Sequence, residues 1–248
     1  MKTVVHPSAR IGERARIGEF VVISENVEIG EDCQIASHVV IHPGTRIGHR
    51  VRIDEHAVLG RLPMRSPRSA LTKVKDLAPA VLGDGCMVGS FVSVYAGSHI
   101  AANVLLADYA SVREDATIGE LTIIGRGVAV ENQVTIGSRC KIEAGAYIAA
   151  LSSIADDCFV APHVTLTNDN FLGRWKERFK FHKGVTMKTG ARLGANVTVL
   201  PGLVIHEDGV AAAGCTVTHD VPPNKIVLGV PARVWRDVPE EQLLENNR

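Results

Sequence analysis

The chain has no excess of charge. Its 27 Lys and Arg are matched by 27 Asp and Glu over 248 residues, and its pI is near 7.2. Lacking a basic field, it is expected to partner neither nucleic acid nor an anionic membrane. No apolar run approaches the length of a transmembrane helix, and the opening MKTVVHPSAR lacks the apolar core of a signal peptide, so a cytoplasmic location is expected. Catalytic signatures are missing as well. There is no Gly-Lys dipeptide and hence no P-loop, no GxSxG elbow, and no CxxC or HExxH pair.

What the chain does have is a repeat. Val5, Ile11, Ile17, Ile23, Ile29, Ile35, Ile41, Ile47, Ile53 and Leu59 follow one another at intervals of six. A second run extends from Leu82 to Leu166 and a third from Met187 to Val217. A period of six fits neither a helix nor a long alternating strand, so each hexad is read as a short strand and a corner. One hexad cannot bury its own apolar side. Stacking supplies the burial, which is the sequence signature of a parallel β-helix. Thirty-one aliphatic positions, taken three to a coil, make about ten coils and, at about 4.8 Å per rung, a prism about 50 Å long. The chain is therefore read as all-β. One β-helix domain is expected over residues 1–235, with loops 60–81 and 167–186 inserted and a tail or short helix over 236–248.

Two residues before each aliphatic position lies a second slot, mostly Ala, Val, Thr or Cys. All five cysteines, Cys33, Cys86, Cys140, Cys158 and Cys215, occupy it. A reduced Cys there is a small apolar filler, and the odd count and core position argue against disulfides.

The repeat breaks twice. Between Leu59 and Leu82 the chain carries Arg61, Arg65, Arg68, Lys73 and Lys75 with no acid before Asp76, and Pro63, Pro67 and Pro79 keep the segment out of the prism. It is expected to project as a basic loop, either a solvated excursion or a clamp in which Arg65 and Arg68 hold an anionic ligand such as a diphosphate. The second break, TNDNFLGRWKERFKFHKG, holds Phe171, Trp175, Phe179 and Phe181, four of the eleven aromatics. That many large apolar groups on one loop are expected to pack on a neighbouring subunit or a ligand.

Residues eighteen apart stack in columns on the outer face, and two column groups carry unusually small side chains. Gly194 with Ala212, Ala195 with Ala213, and Asn196 with Gly214 make a flat strip suited to a slender ligand chain or another subunit. Lower down, Gly125/Glu143/Ala161, Gly127/Gly145/His163 and Asn132/Ala150/Asn168 set a few polar groups among Gly and Ala. Glu143 reads as an acid standing alone there, and His163 as either a surface group or a base.

With repeat, loops and columns in place, the chain resembles the left-handed β-helix, hexapeptide-repeat acyltransferases over essentially its whole length. The most specific stretch is LGANVTVLPG through AAAGCTVTHDVPPNKIVLGVPAR. CKIEAGAYI, and APHVTLTNDN with Arg174 shortly after, are similar to the branch that acetylates nucleotide-linked amino sugars. The resemblance implies a left-handed coil, against the usual crossover rule. It also implies a homotrimer with active sites between subunits, acetyl-CoA as co-substrate between adjacent prisms, a nucleotide-sugar acceptor and no metal. In relatives acting on UDP-3-amino-glucuronate, the position of Glu143 is an amide followed by paired Asn. This chain has Glu143-Ala144-Gly145, which favours a dTDP-3-amino-3,6-dideoxyhexose of cell-surface glycan biosynthesis.

On this reading a pantetheine arm runs over Ala195, Ala213 and Gly214, and Lys225 and Arg233 meet the CoA phosphates. A sugar amine with a pKa of about 8 needs alignment more than strong activation. Glu143 orients it and accepts its proton, His163 is the competing base, Asn168 and Asp169 fix the sugar, and Asn132 and Arg174 add substrate contacts. Three other readings stand beside it: a UDP-3-amino-glucuronate N-acetyltransferase, an O-acetyltransferase of the same fold, and a γ-carbonic anhydrase-like zinc enzyme. For the last, His38 and His42 fall one residue short of a His-x4-His pair.

Overall fold

A hexad has room for two strand residues and a turn. The computed structural model, which describes residues 2–64, 66 and 76–247, repeats that unit along the chain. In one example Val22–Ile23 is followed by a corner with Asn26 at φ 56°, then by Glu28–Ile29. A residue in the left-handed region recurs three places after the aliphatic one, as at Asp32 (57°), His38 (63°), Arg50 (55°) and Tyr109 (61°). Such a backbone costs an L-residue about 1 kcal/mol or more. The corners hold because each is bonded to the coil before it: His38 N–H donates to the Glu19 carbonyl at 3.0 Å, and Asp32 N–H to that of Glu13 at 3.0 Å.

The strands stack into three sheets, A, B and C, of eleven, ten and twelve strands. Val22 pairs in parallel with Val4 and Val40 in sheet A, Glu28 with Arg10 and Arg46 in sheet B, and Gln34 with Arg16 and Arg52 in sheet C. Partners are thus eighteen residues apart, three hexads to a coil. About ten coils is an undercount, with up to twelve strands in a sheet, because the closing strands leave the hexad: Lys225–Gly229 and Ala232–Asp237 form an antiparallel hairpin. The helix expected after it takes the form of two short 3-10 turns, Glu240–Gln242 and Leu244–Asn246.

The aliphatic column fills the prism, with Ile23, Ile41, Leu59, Leu106, Ile124 and Ile142 wholly or almost wholly buried. All five cysteines are buried and free. Cys33, Cys86 and Cys140 donate their S–H to the Gly48, Ala101 and Ala155 carbonyls at 3.0–3.1 Å. Burial pushes the Cys33 and Cys86 thiols up, which leaves them inert fillers. No helix among the described residues is long and apolar enough to cross a membrane.

Both insertions leave sheet A and return to sheet B. The first runs between Val58–Arg61 and Val81–Leu82, the second between Thr165–Leu166 and Thr186–Met187. They therefore leave the prism at one edge, their points of departure separated by the sheet A strands Ser93–Tyr95, Ser111–Val112, Ala129–Val130 and Tyr147–Ile148. Arg65 and Arg68 of the basic loop lie outside the described residues.

Candidate active site

The three edges of the prism carry different chemistry. Along the edge between sheets B and C, corner charges pair in the open, as Arg14 does with Asp32 at 2.7 Å. Such exposed pairs contribute little to stability. On the C–A edge, Phe20, His38, His56, Phe91 and Tyr109 stack ring on ring, with centroids 4.8–5.1 Å apart. The eighteen-residue period puts one ring per rung, close to the strand spacing.

That ladder stops at Tyr109, which Arg126 covers with its guanidinium 5.5 Å from the ring centroid. The next two corners are Gly127 and Gly145. A Cβ on Gly127 would touch nothing within 4 Å, whereas one on Gly145 would lie 2.5 Å from Nδ1 of His163, whose ring folds over it. A notch is left between Tyr109 and His163, and Glu143 stands on its C side. The acid is not solitary: Lys141 Nζ lies 3.0 Å from its carboxylate, which is 30% exposed. The isolation expected from the sequence fails because Lys141 and Glu143 flank the inward Ile142 and both face out.

Above His163 the same edge carries the flat strip. Gly214 N–H donates to the Ala195 carbonyl at 2.8 Å, and a Cβ on Gly194 would come within 2.5 Å of the Ala213 nitrogen. Ala213 and Gly214 are exposed. The strip and the notch, two separate regions in the sequence, form one track of bare backbone. Of the two cations expected near its end, Lys225 is already paired with Asp237 across the hairpin. Arg233 donates to the Ala232 carbonyl at 2.8 Å and lines a shallow cavity of about 330 Å³ with His219, Asp220 and Pro222.

The remaining expected site residues, Asn132, Asn168, Asp169 and Arg174, lie at the A–B edge. Five residues of chain separate Gly145 on one edge from Ala150 on the other, about 16 Å at the strand rise. Within one chain the two groups therefore do not meet. Asp169 is also committed: its carboxylate accepts N–H bonds from Phe171 (2.8 Å) and Gly173 (3.0 Å), with Arg178 at 3.4 Å and His182 at 3.6 Å. Burial alone would raise its pKa, but those donors and charges outweigh it and hold the carboxyl below the usual range. Asp169 thus anchors the second loop. Asn168 clasps the loop to the rung below, its Nδ2 donating to the Ala150 carbonyl at 3.3 Å. Phe171, Trp175 and Phe181 cluster with centroids 5.1–5.8 Å apart and stay partly exposed, as does Arg174.

Between the two loops lies a polar recess that the sequence reading passed over. Arg113 donates to both oxygens of Glu114, at 2.7 and 2.9 Å, and reaches Glu131 at 3.5 Å. Its guanidinium covers the Tyr95 ring at 5.1 Å, as does that of Arg61. Glu114 is 5% exposed and Asn132 4%, unusual for residues outside the aliphatic core. Burial pushes the Glu131 carboxyl up, with Arg113 opposing and Glu114 adding to the rise. The Tyr147 phenol is also raised, by burial and then by Glu131. The signal was available, since Arg113 and Glu131 are opposite charges eighteen residues apart in one column.

The family model described as bacterial transferase hexapeptide (six repeats) matches residues 26–61 and 115–150. These two segments carry the hexapeptide repeat of that transferase family. Galactoside O-acetyltransferase of Escherichia coli (strain K12) is 34% identical to this hexapeptide-repeat chain over 91 residues, 35% of this chain and 44% of that protein. Serine acetyltransferase of Bacillus subtilis (strain 168) is 30% identical over 118 residues, 47% of this chain and 52% of that protein. The chain thus spans about half the length of these curated relatives. Among solved structures, LpxA, a UDP-N-acetylglucosamine acyltransferase from Bacteroides fragilis 9343, superposes with a TM-score of 0.58 at 23% identity, covering 95% of this chain and 73% of that one. That likeness concerns the fold. Among the described residues no group of three or more His, Cys, Asp or Glu could hold a metal ion.

Proposed function

We propose that this chain is an acetyl-CoA-dependent N-acetyltransferase acting on the 3-amino group of a nucleotide-linked deoxyamino sugar, a dTDP-3-amino-3,6-dideoxyhexose. The observation that carries the reading is the C–A edge, filled by rings up to Tyr109 and bare from Gly127 to Gly214 apart from the folded His163 and Asn196. A slender acyl carrier fits a track of backbone groups, and its N–H donors can meet a carbonyl oxygen as charge develops. Acetyl-CoA lies along Ala195, Ala213 and Gly214, with Arg233 at the phosphate end. The names of the curated relatives support acyl transfer as the reaction class.

The acceptor belongs to the A–B edge, with its loops and with Asn132, Asn168 and Arg174. Since the two edges are about 16 Å apart in one chain, the site is completed between copies, the loops of one prism facing the bare track of the next in a homotrimer. Free CoA thiol is the readout. It should appear with acetyl-CoA and the amino-sugar nucleotide, and the acceptor with its amine already acetylated should be inert. A hydroxyl acceptor is the second reading, favoured by the galactoside and serine relatives. Faster turnover of serine or a galactoside than of every amino-sugar nucleotide would replace the first reading with it.

A further inference from the structure

Resting on that reading, we propose that Glu131 receives the proton of the acceptor's amine, and that the recess around it is the amine-binding site. A proton acceptor needs a carboxylate that is close to the ligand, shielded from water and not already neutralised. Glu143 fails the last condition, because Lys141 serves it alone at 3.0 Å. Glu131 meets it. Its cation, Arg113, is bound through two nitrogens to Glu114 at 2.7 and 2.9 Å and reaches Glu131 only at 3.5 Å. One guanidinium divided between two carboxylates leaves Glu131 only partly compensated, with its side chain 23% exposed.

The cation that balances this charge is the acceptor itself. An amine of pKa about 8 is roughly nine-tenths ammonium at pH 7. It binds beside Glu131 and Asn132 as a cation, gives its proton to the Glu131 carboxylate, and then attacks. The nitrogen–carbon bond forms at the thioester carbonyl, the carbon–sulfur bond breaks with its electron pair staying on CoA sulfur, the proton held by Glu131 passes to that thiolate, and the freed Glu131 carboxylate takes the second proton that the nitrogen sheds as the amide forms and releases it to solvent.

The groups facing Glu131 are Arg113 and Glu114 in the coil before it and Tyr147 in the coil after it. The loop that roofs Ala150 adds a second unusual group. His182 is 6% exposed in side chain, 3.6 Å from Asp169, and neither ring nitrogen has a hydrogen-bond partner. An imidazole left unsatisfied in the roof of the acceptor's edge fits a recess that is completed by a polar ligand.

The test compares Glu131→Gln, Glu131→Asp and, as a control, Glu13→Gln, with acetyl-CoA and dTDP-3-amino-3,6-dideoxyhexose. Glu131→Gln should lower kcat by about a hundredfold or more. Its melting temperature should not fall, and the acid limb of the kcat/KM profile should be lost. Glu131→Asp should recover part of the rate, and Glu13→Gln, on the exposed B–C edge, should stay within about twofold of wild type. If the wild type acetylates the amino sugar while Glu131→Gln stays within threefold of it and keeps the acid limb, the Glu131 assignment is overturned and the reaction stands. If the wild type releases no CoA thiol with that acceptor but does so with serine or a galactoside, the amino-sugar reading fails and the amine site falls with it.

Discussion

Replacing Arg113 with Met should destabilise the fold in a way that depends on pH. Arg113 is the cation for two carboxylates, and the side chain of the first, Glu114, is only 7% exposed. Removing one partner of such a pair costs about 3–5 kcal/mol, most of it the penalty of the charge left behind. In a chain of this size that corresponds to roughly 10 °C in melting temperature at pH 8. The Glu131 carboxyl, already pushed up by burial, then loses the cation that opposes the rise. A carboxyl raised on folding binds its proton more tightly in the native chain, so stability is full below the unfolded value and is lost as pH rises towards the folded one. Each such group contributes a slope of up to about 1.4 kcal/mol per pH unit in that window. The deficit of Arg113→Met relative to wild type in urea melts should therefore shrink by more than half between pH 8 and pH 5. An equal deficit at both values would mean that the two acids are solvated, and the account of the recess would be wrong.

Other outcomes test other parts of the molecule. Ala213→Trp should raise the KM for acetyl-CoA severalfold or abolish turnover while the oligomer survives, since Ala213 is exposed on the flat strip; unchanged CoA kinetics would remove the strip from the site. Gly184→Ala should destabilise the chain by more than about 2 kcal/mol, because its Cβ would lie 2.2 Å from the Leu151 carbonyl carbon. Gly127→Ala, with open space around it and φ +65°, should lose only about 1 kcal/mol, and urea melts that ranked the two alike would contradict the packing described. Asp169 has a lowered carboxyl, so its stabilisation of the loop is present above the unfolded value and lost as pH falls through the folded one. Amide exchange of residues 171–182 should accelerate as pH drops below about 4 once the intrinsic pH dependence of exchange is removed. Asp169→Asn should show the same faster exchange at neutral pH.

Much of the site was legible in the columns. Stacking by eighteen put Gly127 under Gly145 and His163, and Gly194 under Ala212, and the structure places these on one continuous edge. It did not reveal that Asn132 and Asn168 lie on the opposite side of sheet A from Gly145, because a column list does not say which edge a corner occupies until strands are counted around the coil. Nor did it reveal Lys141 beside Glu143, or Glu114 as the nearer partner of Arg113. Those pairings depend on which way long side chains turn from the same face, and spacing alone is silent on that.

The sequence by itself determined the coil. A six-residue aliphatic period leaves a chain no other way to bury one apolar side than to stack it, so the parallel sheets and the inward set from Ile23 to Val217 follow from spacing. Only the tertiary structure decided how the chemistry is distributed. The two insertions open from one edge because both follow a sheet A strand, and the second folds back over Ala150 and Leu151 through contacts between segments distant in the chain. Side-chain charge pairing and loop closure are settled by contacts in space, which no repeat of six encodes.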